Sequence, residues 1–488
     1  MKQFPKRSLP AALLGAASLA AAAGSLHAQQ LDRSKRPEAA AAAAVTAPTI
    51  VKRTLPNGLQ VWSVTRRDLP IVNALLLVRA GSAMDGASSG LAEMTASLLD
   101  QGSGGRSAVE FANALDFLGA NLNANAGDEQ TQISLLTLRK QADSAFALMG
   151  DMVVRPALAD SELTRERRTR LQALRSQKDR PTIIATRTFS RLVYGADHPY
   201  GHPSNGTPAT IEKLSRADVS GFHDAYYRPN NAVLIVVGDV SAAEAQALAT
   251  RAFGAWKSKP VPALAAAIPA RPASHPTGVY LVDKPGAAQS EIRIGHALTS
   301  RSTTPDYYAL RVLNAALGGA FTSRVNLNIR EAKGYTYGAR TTMTFERGAG
   351  PFTASAGVFT AKTDSSLIEF MKEIRDIRGP RPLTQAETDF AKASLIRAYP
   401  RALETNAGVA ATLADIAFYR LPDTELTGYL TRLAQVKPAD VTRVAEKYLA
   451  PDSSVVVVVG DLSKIQPGIE ALHLGPVTVL DADGLAAK

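Results

Sequence analysis

The run Asn230-Asn231-Ala232-Val233-Leu234-Ile235-Val236-Val237-Gly238-Asp239-Val240-Ser241 recurs 222 residues later, without a gap, as Asp452-Ser453-Ser454-Val455-Val456-Val457-Val458-Val459-Gly460-Asp461-Leu462-Ser463. The register extends upstream, where Ala217-Asp218-Val219, Tyr226 and Pro229 are matched at the same offset by Ala439-Asp440-Val441, Tyr448 and Pro451. Each copy reads as a helix, a proline-containing turn, an apolar strand rich in β-branched residues, and a Gly-Asp step opening another helix. Chance similarity does not hold register over such a length. The chain is therefore a duplication of one domain.

Between the copies, Pro260, Pro262, Pro269, Pro272 and Pro276 form a proline-rich stretch, which at that density is an extended, semi-rigid connector. We place this linker at 258–277, the first domain at 50–257, the second at 278–475 and a tail at 476–488. Within the first domain, residues 59–64 and 71–79 predict strands, 88–101 and 109–118 helices, 121–126 and 130–137 strands again, and 142–193 a helix-rich block. Strands and helices interleave irregularly, with hairpin-like neighbours. That pattern predicts the α+β class, each domain a mostly antiparallel sheet packed with helices, rather than a doubly wound parallel sheet.

A length of 488 residues with 45% apolar content is ample for two packed domains. Residues 1–28 stand apart from them. Lys2, Lys6 and Arg7 precede a small, apolar run over residues 9–23, and Leu26-His27-Ala28 offers a small residue at a cleavage point. This is the layout of a secretory signal peptide, with an apolar run too short to span a bilayer comfortably. Residues 29–49, polar and then alanine-rich, read as a mobile lead-in. No later stretch approaches a membrane span, so the expectation is an exported, periplasmic chain without a transmembrane segment. Removal of the leader takes the formal net charge from +11 to about +8. Solvated arginines account for such a balance, and without an aromatic-basic motif nucleic acid is not an expected partner. The chain has no cysteine, which excludes disulfides and Cys-ligated metal.

Several local phrases occur in a telling order. They are Leu55-Pro56-Asn57-Gly58-Leu59, Arg79-Ala80-Gly81-Ser82, Gly90-Leu91-Ala92 and His198-Pro199-Tyr200-Gly201, followed by Leu317-Gly318-Gly319 with Ser323-Arg324 and Ile329-Arg330-Glu331-Ala332-Lys333-Gly334-Tyr335-Thr336-Tyr337. In this order and at these spacings the chain resembles the pitrilysin or insulinase (inverzincin) superfamily of metallopeptidases, which includes mitochondrial processing peptidase and paired bacterial periplasmic peptidases. The likeness covers essentially residues 50–475. It implies two LuxS/metallohydrolase-like domains of the pitrilysin type.

The resemblance also marks what is missing. A zinc-bearing member carries Gly-Leu-Ala-His-x-x-Glu-His, in which two His at i and i+4 grip zinc from one helix face and a Glu between them is the general base. Here the three positions are Glu93, Ala96 and Ser97. The family's further Glu ligand, on a later helix, falls on Ala173. Four departures in one site leave neither cage nor base, so no metal or cofactor is expected in this chain. The remaining histidines do not rescue the site. His198 and His202 are separated by Pro199 and Gly201, which no helix carries in one turn. His223 and His296 have no matching ligand nearby, and His275 sits in the linker.

The family's other half-site is kept. Arg330 and Tyr337 have the family spacing of seven, the Arg ending a helix and the Tyr beginning a strand. By the resemblance they act in trans, the guanidinium holding peptide carbonyl oxygens and the phenol donating to the oxyanion. The plain alternative is that Arg330 pairs with Glu331 and Tyr337 packs into the core. In the family, the 121–137 hairpin lays substrate along a sheet edge; here it no longer presents substrate to a metal. Gly318 to Ser323 reads as a packing turn rather than a phosphate cradle.

The resemblance therefore implies a zinc-less, active-site-completing subunit of a periplasmic zinc endopeptidase, acting on peptide or unfolded-protein substrates. Its partner would be a zinc-bearing peptidase homologue, in a heterodimer. The alternative is a catalytically inert binding or scaffold protein of the same fold.

Overall fold

The computed structural model describes residues 46–262 and 277–486. The signal peptide read at 1–28, most of the lead-in at 29–49 and most of the linker at 258–277 lie outside the described residues.

The first half supplies β1 (Val51–Thr54), β2 (Gln60–Thr65), β3 (Ile71–Val78), β4 (Asn121–Ala126), β5 (Thr131–Leu138) and β6 (Ala232–Gly238), in sheet order β1-β2-β6-β3-β5-β4. The second supplies β7 (Gly278–Asp283), β8 (Gln289–Thr299), β9 (Thr336–Met343), β10 (Gly350–Phe359), β11 (Val455–Gly460) and β12 (Val477–Leu480), in order β12-β7-β11-β8-β10-β9. The duplicated strands β6 and β11 take equivalent places, each parallel to one neighbour (β2, β7) and antiparallel to the other (β3, β8). The chain is thus α+β, with two mixed six-stranded sheets packed with helices. The halves differ at one edge. β1 runs antiparallel to β2, whereas β12, from the stretch read as a tail, runs parallel to β7.

The helices that build the sites are α1 (Leu91–Leu98), α2 (Asp160–Gln177), α3 (Pro181–Tyr194), α4 (Tyr307–Asn314), α5 (Gln385–Ala402), α6 (Asn406–Tyr419) and α7 (Thr424–Gln435). The sequence predicted α1 over 88–101, longer than it is. Its start is set by the buried Asp85 carboxylate, which accepts from the N–H of Gly90 (2.7 Å) and Ala92 (2.8 Å), rather than by Ser88 or Ser89. Gly90 is obligatory there. Its φ is +96°, and a Cβ would lie 2.7 Å from Ile211 Cδ1 and 2.9 Å from Gly206 Cα.

Side chains along the central strands alternate between two faces, both covered, and so sort into two layers. One face of the first sheet (Val61, Val72, Leu76, Leu234, Val236) packs on helices of its own half. The other (Trp62, Val64, Leu75, Leu77, Val233, Ile235, Val237) packs on Val409, Leu413, Ile416, Ala417 and Phe418 of α6, which belongs to the second half. The second sheet does the reverse, with Val282, Val455, Val457 and Val459 covered by Ile184, Ala185, Phe189 and Val193 of α3 from the first half. Each half hands one helix to the other's sheet. That is why β6 and β11 are apolar at every position.

The hairpin turns of the two halves also meet. In the β4–β5 turn, Glu129 accepts from the backbone N–H of Arg347 (3.0 Å) in the β9–β10 turn and from Tyr200 Oη (2.5 Å). Tyr194 of α3 donates to Ala349 O (2.9 Å), and Tyr419 of α6 donates to Phe345 O (2.7 Å). Glu346 lies against Glu129 at this junction. Burial, reinforced by the Glu129 carboxylate, pushes the Glu346 carboxyl well above the ordinary carboxylate range. Such a group takes up a proton on folding. Its stabilising contribution is complete below its ordinary pKa of 4.5 and is lost as pH rises through the higher folded value. Glu346→Gln mimics the protonated form. Its gain in urea midpoint over the parent should therefore grow between about pH 5 and about pH 8; a gain that stays flat or shrinks contradicts the assignment.

Candidate functional site

On α1 the apolar side chains Leu91, Met94 and Leu98 turn inward, which leaves Glu93 and Ser97, one turn apart, on the partly open face. Ala96 is buried. The position facing this pair across the gap is Arg170 of α2. Its Nη1 donates to Glu93 Oε2 (2.5 Å) and its Nη2 to Ser97 Oγ (3.0 Å). Ser97 Oγ in turn donates to Glu93 O (2.8 Å), and Ser204 Oγ donates to Glu93 Oε1 (2.9 Å). The planar fork of one guanidinium thus spans the two residues at i and i+4. Ala173, one turn beyond Arg170 on α2, offers only a methyl group.

As a zinc cage this set does not fit. Its one carboxylate is ion-paired, its hydroxyl is engaged, the other two positions are methyls, and Arg170 sets a permanent cation beside them. Among the described residues no group of three or more His, Cys, Asp or Glu is placed to hold a metal. The arrangement is a charge-assisted clamp between α1 and α2.

A cavity of about 490 Å³ opens beside Glu93, lined among others by Asp128, Arg187, Tyr200, His202 and Asn205. Burial raises the Asp128 carboxyl pKa and lowers those of Arg187 and His202. Arg187 is committed to Gln177 Oε1 (2.5 Å) and Asn205 Oδ1 (2.9 Å). Three of the histidines have structural partners. His198 Nδ1 accepts from Tyr200 N (3.1 Å), His223 Nε2 bonds Val153 O (2.8 Å), and His296 bonds Tyr448 O (2.8 Å) and Ser454 Oγ (3.1 Å). His275 lies outside the described residues.

Arg330 and Tyr337 stand in the second half. Arg330 lies in a widened helical turn, Leu327–Ala332, and Tyr337 is the second residue of the edge strand β9. Asn326 ties the two elements, donating to Phe321 O (2.7 Å) and accepting from Ala339 N (3.1 Å). Arg324 anchors the segment through Glu387 (2.8 Å), whose carboxyl is pulled down to about 2, chiefly by that guanidinium. Arg330 does pair with Glu331 (3.0 Å) and lies 4.5 Å from the centre of the Phe321 ring. Tyr337 is not in the core. It is 80% exposed, with the Phe359 ring edge-on beside it and the exposed Phe321 close to Arg330. Among the described residues neither Arg330 nor Tyr337 ion-pairs or hydrogen-bonds with Glu93, Ser97 or Arg170, so the two clusters are separate.

Arg170 escaped the sequence reading. Its only signal was a basic residue one turn before Ala173, and nothing in the spacing pairs position 170 with 93 and 97.

Two family models match the chain. One is described as insulinase (peptidase family M16) and matches residues 61–197; the other is described as the peptidase M16 inactive domain and matches residues 213–395. An uncharacterized zinc protease of Mycobacterium leprae is 28% identical over 352 residues, covering 71% of this chain and 77% of its own. The zinc protease PqqE of Helicobacter pylori is 25% identical over 419 residues, 83% of this chain and 91% of its own. A crystal structure of a peptidase M16 inactive domain from Pseudomonas fluorescens superposes with a TM-score of 0.78 at 26% identity, over 84% of this chain and 98% of its own. A protease from Helicobacter pylori shares the fold, with a TM-score of 0.79 at 24% identity over 85% of this chain and 100% of its own.

If Arg170 is what closes this site to metal, its charge should count even after ligands are restored. The variant Glu93→His, Ala96→Glu, Ser97→His, Ala173→Glu should bind zinc weakly with Arg170 in place and at least about tenfold more tightly when Arg170→Ala is added. Equal affinity in competition with a chelator, with and without Arg170, would show that the guanidinium is a bystander.

Proposed function

The chain belongs to the M16 (insulinase/pitrilysin) peptidase family, and on that footing we propose that it is the zinc-less subunit of a two-chain peptidase. It completes the active site carried by a zinc-bearing relative. The observation that carries this reading is the asymmetry between its two half-sites. The face where a metal centre would lie is locked by Arg170 onto Glu93 and Ser97. The other keeps Tyr337 80% exposed on an edge strand, anchored from behind and in no hydrogen bond among the described residues.

In the complex, Arg330 would exchange Glu331 for the carbonyl oxygens of a bound peptide, for which its fixed donors are suited. Tyr337 would donate its phenolic proton in a hydrogen bond to the oxygen that gains charge as the scissile carbonyl becomes tetrahedral. The exposed Phe321, Leu327 and Phe359 around them form an apolar rim suited to contact with the partner chain. Metal and general base belong to the partner. Periplasmic placement follows from the proposed leader.

A second reading, an inert scaffold, draws on one observation, the Arg330–Glu331 pair that already satisfies the guanidinium. Reconstitution separates the two. With the zinc-bearing relative co-purified, Tyr337→Phe should lower kcat about 10²-fold or more with little change in KM and no change in complex formation. Unaltered kcat in the intact complex would remove the trans role and leave the scaffold.

A further inference from the structure

The second half contains a counterpart of the Glu93 cavity, larger and differently furnished. The first cavity is walled by α1, the β4–β5 turn and the exchanged helix α3. The second is walled by the equivalent α4, the end of β9 and its turn, and the exchanged helix α6, with α5 and α7 closing it. Its volume is about 740 Å³, within the range of small-molecule sites.

Five aromatic rings line it: Tyr307, Phe345, Tyr399, Tyr419 and Tyr429. They are held in place. Tyr399 and Tyr429 stack with centroids 4.6 Å apart, and Tyr307 meets Phe345 edge-on at 4.9 Å. The hydroxyls of Tyr399 and Tyr419 donate to Leu426 O (3.0 Å) and Phe345 O (2.7 Å). The wall is therefore preorganised.

Of the charged groups in the lining, one pair is spent. Glu425 takes Arg301 (2.7 Å), Arg432 (2.8 Å) and the Tyr308 hydroxyl (2.7 Å), and Arg301 also stacks on the Tyr307 ring at 3.6 Å. The other two are not. Among the described residues, the Asp415 carboxylate on α6 makes no hydrogen bond or ion pair; it is solvent-accessible, and its surroundings raise its pKa, a rise that the Arg301 guanidinium offsets in part. Arg311 on α4 has no ion pair; it reaches only the Tyr429 hydroxyl, and its Nε is buried without a partner. An anion and a cation that line one cavity without an ion pair are free to take the opposite charges of a ligand.

We infer that this cavity binds a short zwitterionic peptide, with its ammonium group at Asp415, its carboxylate on the Arg311 guanidinium and its apolar side chains against the tyrosines. An ammonium over tyrosine faces gains further from the ring quadrupoles, and a carboxylate matches the fork of an arginine. The Glu93 cavity has no such pair, because its lining arginine, Arg187, is already committed to Gln177 and Asn205. The inference goes beyond the trans role of Tyr337 and does not require it. The site lies in this chain alone.

The test is calorimetric titration of the full chain, without any partner, with the tripeptide Ala-Phe-Ala in free, N-acetylated and C-amidated forms. The free tripeptide should bind. Acetylation and amidation should each weaken it about tenfold or more. Asp415→Asn should abolish the penalty of acetylation while keeping that of amidation, and Arg311→Gln should do the reverse. The modified peptides on the unaltered protein report even if either variant folds poorly. Tyr337→Phe should bind as the parent does, which separates this site from the proposed half-site. No binding of the free tripeptide, a loss confined to one terminus, or penalties unchanged by both variants would overturn the assignment.

Discussion

The structure depends on one reciprocal exchange. α6 of the second half closes the open face of the first sheet, and α3 of the first half closes that of the second. Each fully buried Val, Leu or Phe at these contacts stabilises by about 1.5–3 kcal/mol, so neither sheet could keep its second face in water alone. The halves are therefore not beads on a linker. The same two helices wall the two cavities on their other sides, and their terminal tyrosines, Tyr194 and Tyr419, pin the β9–β10 turn between them. Packing, junction and sites are set by the same pair of elements.

From one scaffold, duplication has yielded two different sites. Where the first half would need a metal, it has a guanidinium bridging a carboxylate and a hydroxyl. The arrangement is coherent: with only Ala96 and Ser97 beside it on its helix, a lone Glu93 carboxylate would be half-buried and unpaired, and Arg170 satisfies it. The second half has an arginine and a tyrosine at an edge strand, the tyrosine exposed and its phenol in no hydrogen bond among the described residues. A first half in which no described residues group to hold a metal, beside a second half with an exposed tyrosine, suits the proposed subunit that lends groups to another chain.

Much of this was legible beforehand, for identifiable reasons. The repeat at 222 located β6 and β11, because strands buried on both faces leave an unmistakable β-branched run. The hairpin strands β4 and β5 followed from alternation. The exchange of α3 and α6 was not legible, because an amphipathic helix does not say which sheet it covers. Nor was the strand Val477–Leu480, four residues with no periodicity to announce them. At the site, Arg330 and Tyr337 came from a local phrase. Arg170, Asp415 and Arg311 acquire meaning only from contacts between helices far apart in sequence, or from the lack of one.

The central claim is that this chain completes a metal site it does not itself hold. The most direct measurement is zinc per polypeptide in the complex recovered with the processed chain as bait from its native source. The account predicts a co-purifying M16 relative, one zinc per pair, and peptidase activity confined to the pair. Stoichiometric zinc retained by this chain after the pair is separated would contradict it.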